Sequence, residues 1–112
     1  MIKVVFYKKN ELISGFNELI SGFDIKGHAT IDENDFEGSL VCSAVSSAAI
    51  MTANTVTEII GDLSDIEVDD GALSLRCADA EKCNTILQGL VLHLCDLEQQ
   101  YPEKISIITK TE

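Results

Sequence analysis

The chain opens on Ile2-Lys3-Val4-Val5-Phe6-Tyr7, a run of β-branched and aromatic residues that predicts a strand. Lys8-Lys9-Asn10 follows as a predicted turn or loop. From Leu40 to Ile60 the apolar residues return at spacings near three and four, among them Val41, Val45, Ala48, Val56 and Ile59, which predicts a helix over residues 40–60. Gly61 supplies its stop. Asp65-Ile66-Glu67-Val68-Asp69 alternates charged and apolar positions, as a half-exposed strand does. Asp70-Gly71 is a hairpin turn signal, and residues 72–77 alternate again as the return strand. A second helix is predicted over 79–100, with Ile86, Leu87, Leu90, Val91, Leu94 and Leu97 as its apolar stripe. Pro102 ends it, and Ile105-Ser106-Ile107-Ile108 reads as a last strand. The predicted order is ββαββαβ, an α+β fold with two helices on an antiparallel or mixed sheet.

Between the first strand and the first helix the chain repeats itself. Glu11-Leu12-Ile13-Ser14-Gly15-Phe16-Asn17 is followed by Glu18-Leu19-Ile20-Ser21-Gly22-Phe23-Asp24, identical at six of seven positions. Two copies of seven residues are too few for a coiled coil or a solenoid. The second copy is expected to open the second strand, Leu19 to His28, and the first to lengthen the hairpin loop. Residues 30–38, TIDENDFEG, read as a polar loop with four acids, joining that strand to the helix.

Composition narrows the setting. The 112 residues suit one domain spanning 1–112. No stretch approaches the roughly 18 consecutive apolar residues of a membrane span, and the N-terminus lacks the pattern of a signal peptide, so no membrane partner and a cytoplasmic location are expected. The net charge of −11 repels phosphate backbones, which disfavours nucleic acid as a partner and suits a basic peptide. Four cysteines occur, at 42, 77, 83 and 95, with no CxxC pair. Disulfides are improbable in a cytoplasmic chain. Cys77, Cys83 and Cys95 are read as small buried apolar residues, and no metal or cofactor is expected.

Cys42 and His28 are the candidates for chemistry. Cys42 stands near the predicted helix start, where the positive end of the dipole favours a thiolate. Ser39 is the expected N-cap, its hydroxyl accepting from the Cys42 backbone N–H. His28, at the end of the preceding strand, is placed to take or lend a proton. A thiol beside an imidazole is the minimum equipment of a cysteine nucleophile. The oxyanion of an acyl-transfer intermediate is expected to be held by backbone N–H groups of the first helical turn.

Taken together, the opening IKV strand, Gly27-His28-Ala29, Val41-Cys42-x-Ala44-Val45-Ser46 and Tyr101-Pro102-Glu103 resemble the ribosomal-processing cysteine protease family of bacteria, in the family's order and nearly end to end. The resemblance implies a homodimeric cysteine endopeptidase. It implies Cys42 as nucleophile, His28 as base and Ser46, one turn along the helix, as a supporting residue. Its implied substrate is the N-terminal extension of ribosomal large-subunit protein twenty-seven, removed as the ribosome matures. The family usually carries an aspartate three residues before the cysteine, where this chain has Ser39. The step from His28 to Cys42 is slightly longer than the family norm, the loop between them is acidic, and the ELISGF duplication reads as an insertion. The expected machinery is therefore a Cys-His dyad. The alternative is a non-catalytic dimeric ribosome-associated binding protein of the same fold.

Overall fold

A computed structural model describes residues 1–12, 18–29, 32 and 34–112. The elements are β1 (Ile2–Leu12), β2 (Glu18–Lys26), α1 (Phe36–Asn54), β3 (Asp65–Asp69), β4 (Ala72–Arg76), α2 (Ala80–Gln100) and β5 (Ile105–Thr111). The helix α1 runs on into a π-helical stretch, Thr55–Ile60, which Gly61 stops in the left-handed conformation. The sheet order is β3-β4-β2-β1-β5. It is mixed: β1 and β5 run parallel, and the other neighbours are antiparallel. The α+β fold and the ββαββαβ order are those expected.

Strand periodicity sorts the side chains. Register places Val4 opposite Ile25 and Phe6 opposite Phe23, then Phe23 opposite Leu75 and Ile2 opposite Ile105. These residues share one face of the sheet and are buried. Phe6 and Phe23 meet edge to face with ring centroids 6.5 Å apart, a favoured aromatic geometry. The helices complete the core from the same side, through Val41, Val45 and Ala49 of α1 and Cys83, Leu87 and Leu94 of α2. Tyr7, Asp24 and Arg76 stand on the opposite face.

Three boundaries differ from expectation, and one is the end of β2, at Lys26 rather than His28. β1 does not stop at Tyr7 but continues through Lys8-Lys9-Asn10 to Leu12, with register irregularities after Tyr7 and after Lys8. Pairing with β2 and β5 recruits a stretch whose own composition reads as loop. The second ELISGF copy does open β2, whereas positions 13–17 of the first copy lie outside the described residues. α1 begins at Phe36 rather than Leu40, which alters the site. The helical stretch Phe36–Ile60 is also long and apolar enough to cross a membrane by length and composition. Serines, threonines and Asn54 break up its apolar runs, so a count of consecutive apolar residues misses it. Here it packs one face into the core.

Candidate active site

The end of β2 is pinned from two sides. On one side the Gly27 N–H donates to the Gly71 carbonyl at 2.9 Å, tying the strand end to the β3–β4 turn. On the other the Ala29 N–H donates to the Cys42 sulfur at 3.1 Å, tying it to α1. His28 lies between these anchors. Its backbone has little freedom, while its exposed ring stands at the rim of a cleft. The imidazole rests on the turn: its Nε2 is 2.8 Å from where a Cβ on Gly71 would stand. A side chain at position 71 would take the space of the ring.

The cleft has a volume of about 450 Å³ and lies between α1 and the sheet. His28, Cys42 and Ser46 all line it. Ser46 is one helical turn beyond Cys42, on the same face, as expected. Val45 and Ala49 form part of the helix wall, and Ile25 and Leu73 part of the sheet wall. The lining is mostly apolar with a few polar groups, which suits a peptide presenting its backbone to the thiol and its side chains to the walls.

Ser39 does not belong to this group. Asp35 is the N-cap of α1: its carboxylate accepts from the Gly38 N–H at 2.9 Å and from the Lys104 ammonium at 2.7 Å. Ser39 lies inside the helix, exposed, its own N–H donating to the Asp35 carbonyl at 3.0 Å. An aspartate that caps and also pairs with a lysine outcompetes a serine four residues on. The expected Ser39 cap is thus corrected to Asp35.

The correction changes the chemistry. Cys42 is in the second turn of α1, and dipole effects fade beyond the first turn. Its N–H belongs to the helical ladder rather than to the unsatisfied first-turn donors. Those donors are about a turn or more away, and that of Gly38 is already taken by Asp35. The local donor at the sulfur is instead the Ala29 N–H, a group that an anionic sulfur accepts from more strongly than a neutral one. This donor escapes sequence reading because local pattern does not say how the chain turns between β2 and α1. Gly71 escapes in the same way, although its turn signal is plain.

Burial pushes the thiols of Cys77, Cys83 and Cys95 up, away from the thiolate range at neutral pH. Cys83 is fully buried and Cys77 and Cys95 half-buried, close to the expectation of packing residues. The polar loop expected over residues 30–38 includes residues 30, 31 and 33, which lie outside the described residues, while Phe36, Glu37 and Gly38 belong to α1.

A thiol and an imidazole on the two walls of one peptide-sized cleft, in a small α+β domain, are the equipment of a cysteine peptidase. The chain belongs to the cysteine protease Prp family, whose model matches residues 1–106. It is a cysteine protease by that membership. No curated protein sequence matches it. Among solved structures it is similar to the ribosomal processing protease Prp from S. aureus with a covalently linked product peptide, at 24% identity and TM-score 0.81, covering 98% of this chain and 100% of that one. The same S. aureus protease with a substrate peptide matches at 23% identity and TM-score 0.82, over the same shares. A Streptococcus mutans protein matches at 18% identity and TM-score 0.81, covering 100% of this chain and 99% of that one.

Proposed function

We propose that this chain is a processing endopeptidase that removes the N-terminal extension of ribosomal large-subunit protein twenty-seven in the cytoplasm, working as a homodimer. Cys42 is the nucleophile, His28 the acid and base, and Ser46 a supporting hydroxyl. The observation that carries the reading is the pinned β2 end: the Ala29 N–H donates to the Cys42 sulfur, and His28 beside it lines the same cleft as Cys42. The name of the S. aureus relative, a ribosomal processing protease, supports the substrate class.

The steps follow from these groups. His28 takes the Cys42 proton and the sulfur attacks the scissile carbonyl carbon. The tetrahedral intermediate collapses as the imidazolium gives its proton to the leaving amine, and the C–N bond breaks. Water, deprotonated by His28, then attacks the thioester, releasing the new carboxylate and restoring the thiol. The acidic surface of the chain suits a basic ribosomal substrate. The dyad needs no cofactor.

The test uses a peptide spanning the extended N-terminus of the ribosomal protein, with products read by mass spectrometry. Cleavage by the native chain, loss of it in Cys42→Ala and a fall of at least about a hundredfold in His28→Ala are expected. Binding without cleavage by the native chain would establish the non-catalytic binder instead. Alkylation at neutral pH provides a second readout: Cys42 is expected to react well ahead of Cys77, Cys83 and Cys95.

A further inference from the structure

A second group of reactive side chains lies where the chain leaves the π-helical stretch and where β4 passes into α2. Asp62 follows Gly61, Cys77 follows β4, and Cys83 is in the first turn and a half of α2. One carboxylate oxygen of Asp62 and the sulfurs of Cys77 and Cys83 all lie within 4.8 Å of one another. Asp62 is 8% exposed and Cys83 0%. Among the described residues, none of the three lines the cleft that holds Cys42.

We propose that Asp62, Cys77 and Cys83 form a binding site for a thiophilic divalent cation of the zinc class. Two sulfurs bound to one tetrahedral zinc, each at about 2.3 Å, stand roughly 3.8 Å apart. The three ligand atoms are already close enough that small side-chain movements reach that geometry. The donor set selects the metal class: two thiolates favour zinc or its soft analogues, whereas calcium and magnesium favour all-oxygen sites.

The carboxylate is held in the orientation such a site requires. Its Oδ1 accepts from the Asp79 N–H at 2.9 Å, and its Oδ2 accepts from the Ala78 N–H at 2.8 Å and from the Ser64 hydroxyl. Hydrogen bonds of this kind fix a ligating carboxylate without occupying every lone pair. Cys77 is half-buried, which leaves a route from solvent. Binding exchanges two thiol protons for the cation, with both protons released to water, and a water molecule takes the fourth position. A bound cation would cross-link the segment after α1 to the start of α2. Its effect is therefore on stability, independent of peptide cleavage.

Zinc also binds an exposed Cys-His pair, so the experiment uses Cys42→Ser, which removes that competitor. The reduced, metal-free protein is titrated with Cd²⁺, read by sulfur-to-metal charge-transfer absorption, and with Zn²⁺, read by calorimetry. One cation per chain is expected, with the absorption band present and the thermal midpoint raised by Zn²⁺. Cys77→Ala and Cys83→Ala, each added to Cys42→Ser, are expected to abolish the band, and Asp62→Asn to weaken binding at least tenfold. Cys95→Ala is expected to leave binding unchanged. Absence of the band in Cys42→Ser overturns the proposal, as does a band that survives removal of both Cys77 and Cys83. Circular dichroism checks the fold of each variant. The Cys42→Ser titration decides the matter even where a further substitution unfolds the chain.

Discussion

At the scale of single residues, the site depends on a glycine that performs no chemistry. Gly71 has φ +69° and Gly61 has φ +77°. Alanine at either position forces a left-handed conformation, costing about 1–2 kcal/mol. Only at Gly71 does the new Cβ also meet the His28 ring, whereas at Gly61 nothing lies within 4 Å. Gly71→Ala and Gly61→Ala are therefore expected to lose similar stability in urea unfolding. Peptide cleavage should fall at least about tenfold in Gly71→Ala, the rate equivalent of ~1.4 kcal/mol, and stay near native in Gly61→Ala. Equal activity in the two variants would show that Gly71 does not set the position of the imidazole. His28 and Cys42 were legible in the sequence as residue types next to strand-end and helix-start signals, and Ser46 through the family resemblance; the structure places all three on one cleft. The partners that hold them were not. The contacts of Gly71 with Gly27 and His28 and of Ala29 with Cys42 cross between elements, and local pattern carries no information about which elements meet.

Element boundaries show how local signals compete. Ser39 and Asp35 are both good capping types, and the periodic apolar pattern begins nearer Ser39. The choice is made by Lys104, more than sixty residues away, whose ammonium lies 2.7 Å from the Asp35 carboxylate. Asp35→Ala is expected to lower stability by about 1 kcal/mol or more, with loss of cap and ion pair together. Ser39→Ala should stay within about 0.5 kcal/mol of native. Thermal or urea unfolding separates the two, and the reverse order would restore Ser39 as the cap. The outer face of the sheet offers a second test. There Asp24 accepts from the Tyr7 hydroxyl at 2.5 Å and pairs with Arg76 at 3.2 Å, while the guanidinium carbon stands 3.5 Å from the Tyr7 ring centroid. Burial opposes ionisation of Asp24, but the hydrogen bonds from Tyr7, Ser74 and Arg76 outweigh it and bring its carboxyl down to about 2. A carboxyl held below its unfolded value of about 4 stabilises the fold above that pH, here by about 2 kcal/mol. That contribution is lost as pH falls from about 4 to about 2. Asp24→Asn is expected to flatten the loss of stability across that window, and an unchanged acid limb in urea unfolding would rule out Asp24 as its source.

At the scale of the whole molecule, the helix that carries Cys42 also carries an exposed apolar stripe. Ile50, Met51 and Ile59 on the outward side of α1 and its π-helical extension are 55%, 54% and 80% exposed. They border a shallow groove with Ser47 and Glu58, and Ile50 also lines the cleft that holds Cys42 and His28. The same helix thus presents Cys42 to the cleft and an apolar stripe to solvent, and each fully buried Ile or Met is worth about 1.5–3 kcal/mol. In the proposed homodimer, a second copy of the chain seated on this stripe would account for its apolar character and would place the partner next to the cleft. Two copies also bring together charges of −11 each, so the apolar gain works against mutual repulsion that salt screens. Dimerisation is accordingly expected to tighten as salt rises, the reverse of what an interface held by opposite charges would do. Ile59→Glu should shift the equilibrium to a 12.2 kDa monomer by sedimentation. It should also weaken substrate binding, raising KM more than it lowers kcat, because the stripe adjoins the cleft wall at Ile50. A native chain that sediments as a monomer at every salt concentration would assign the stripe to something other than a second copy. A dimer that survives Ile59→Glu would move the interface elsewhere on the molecule.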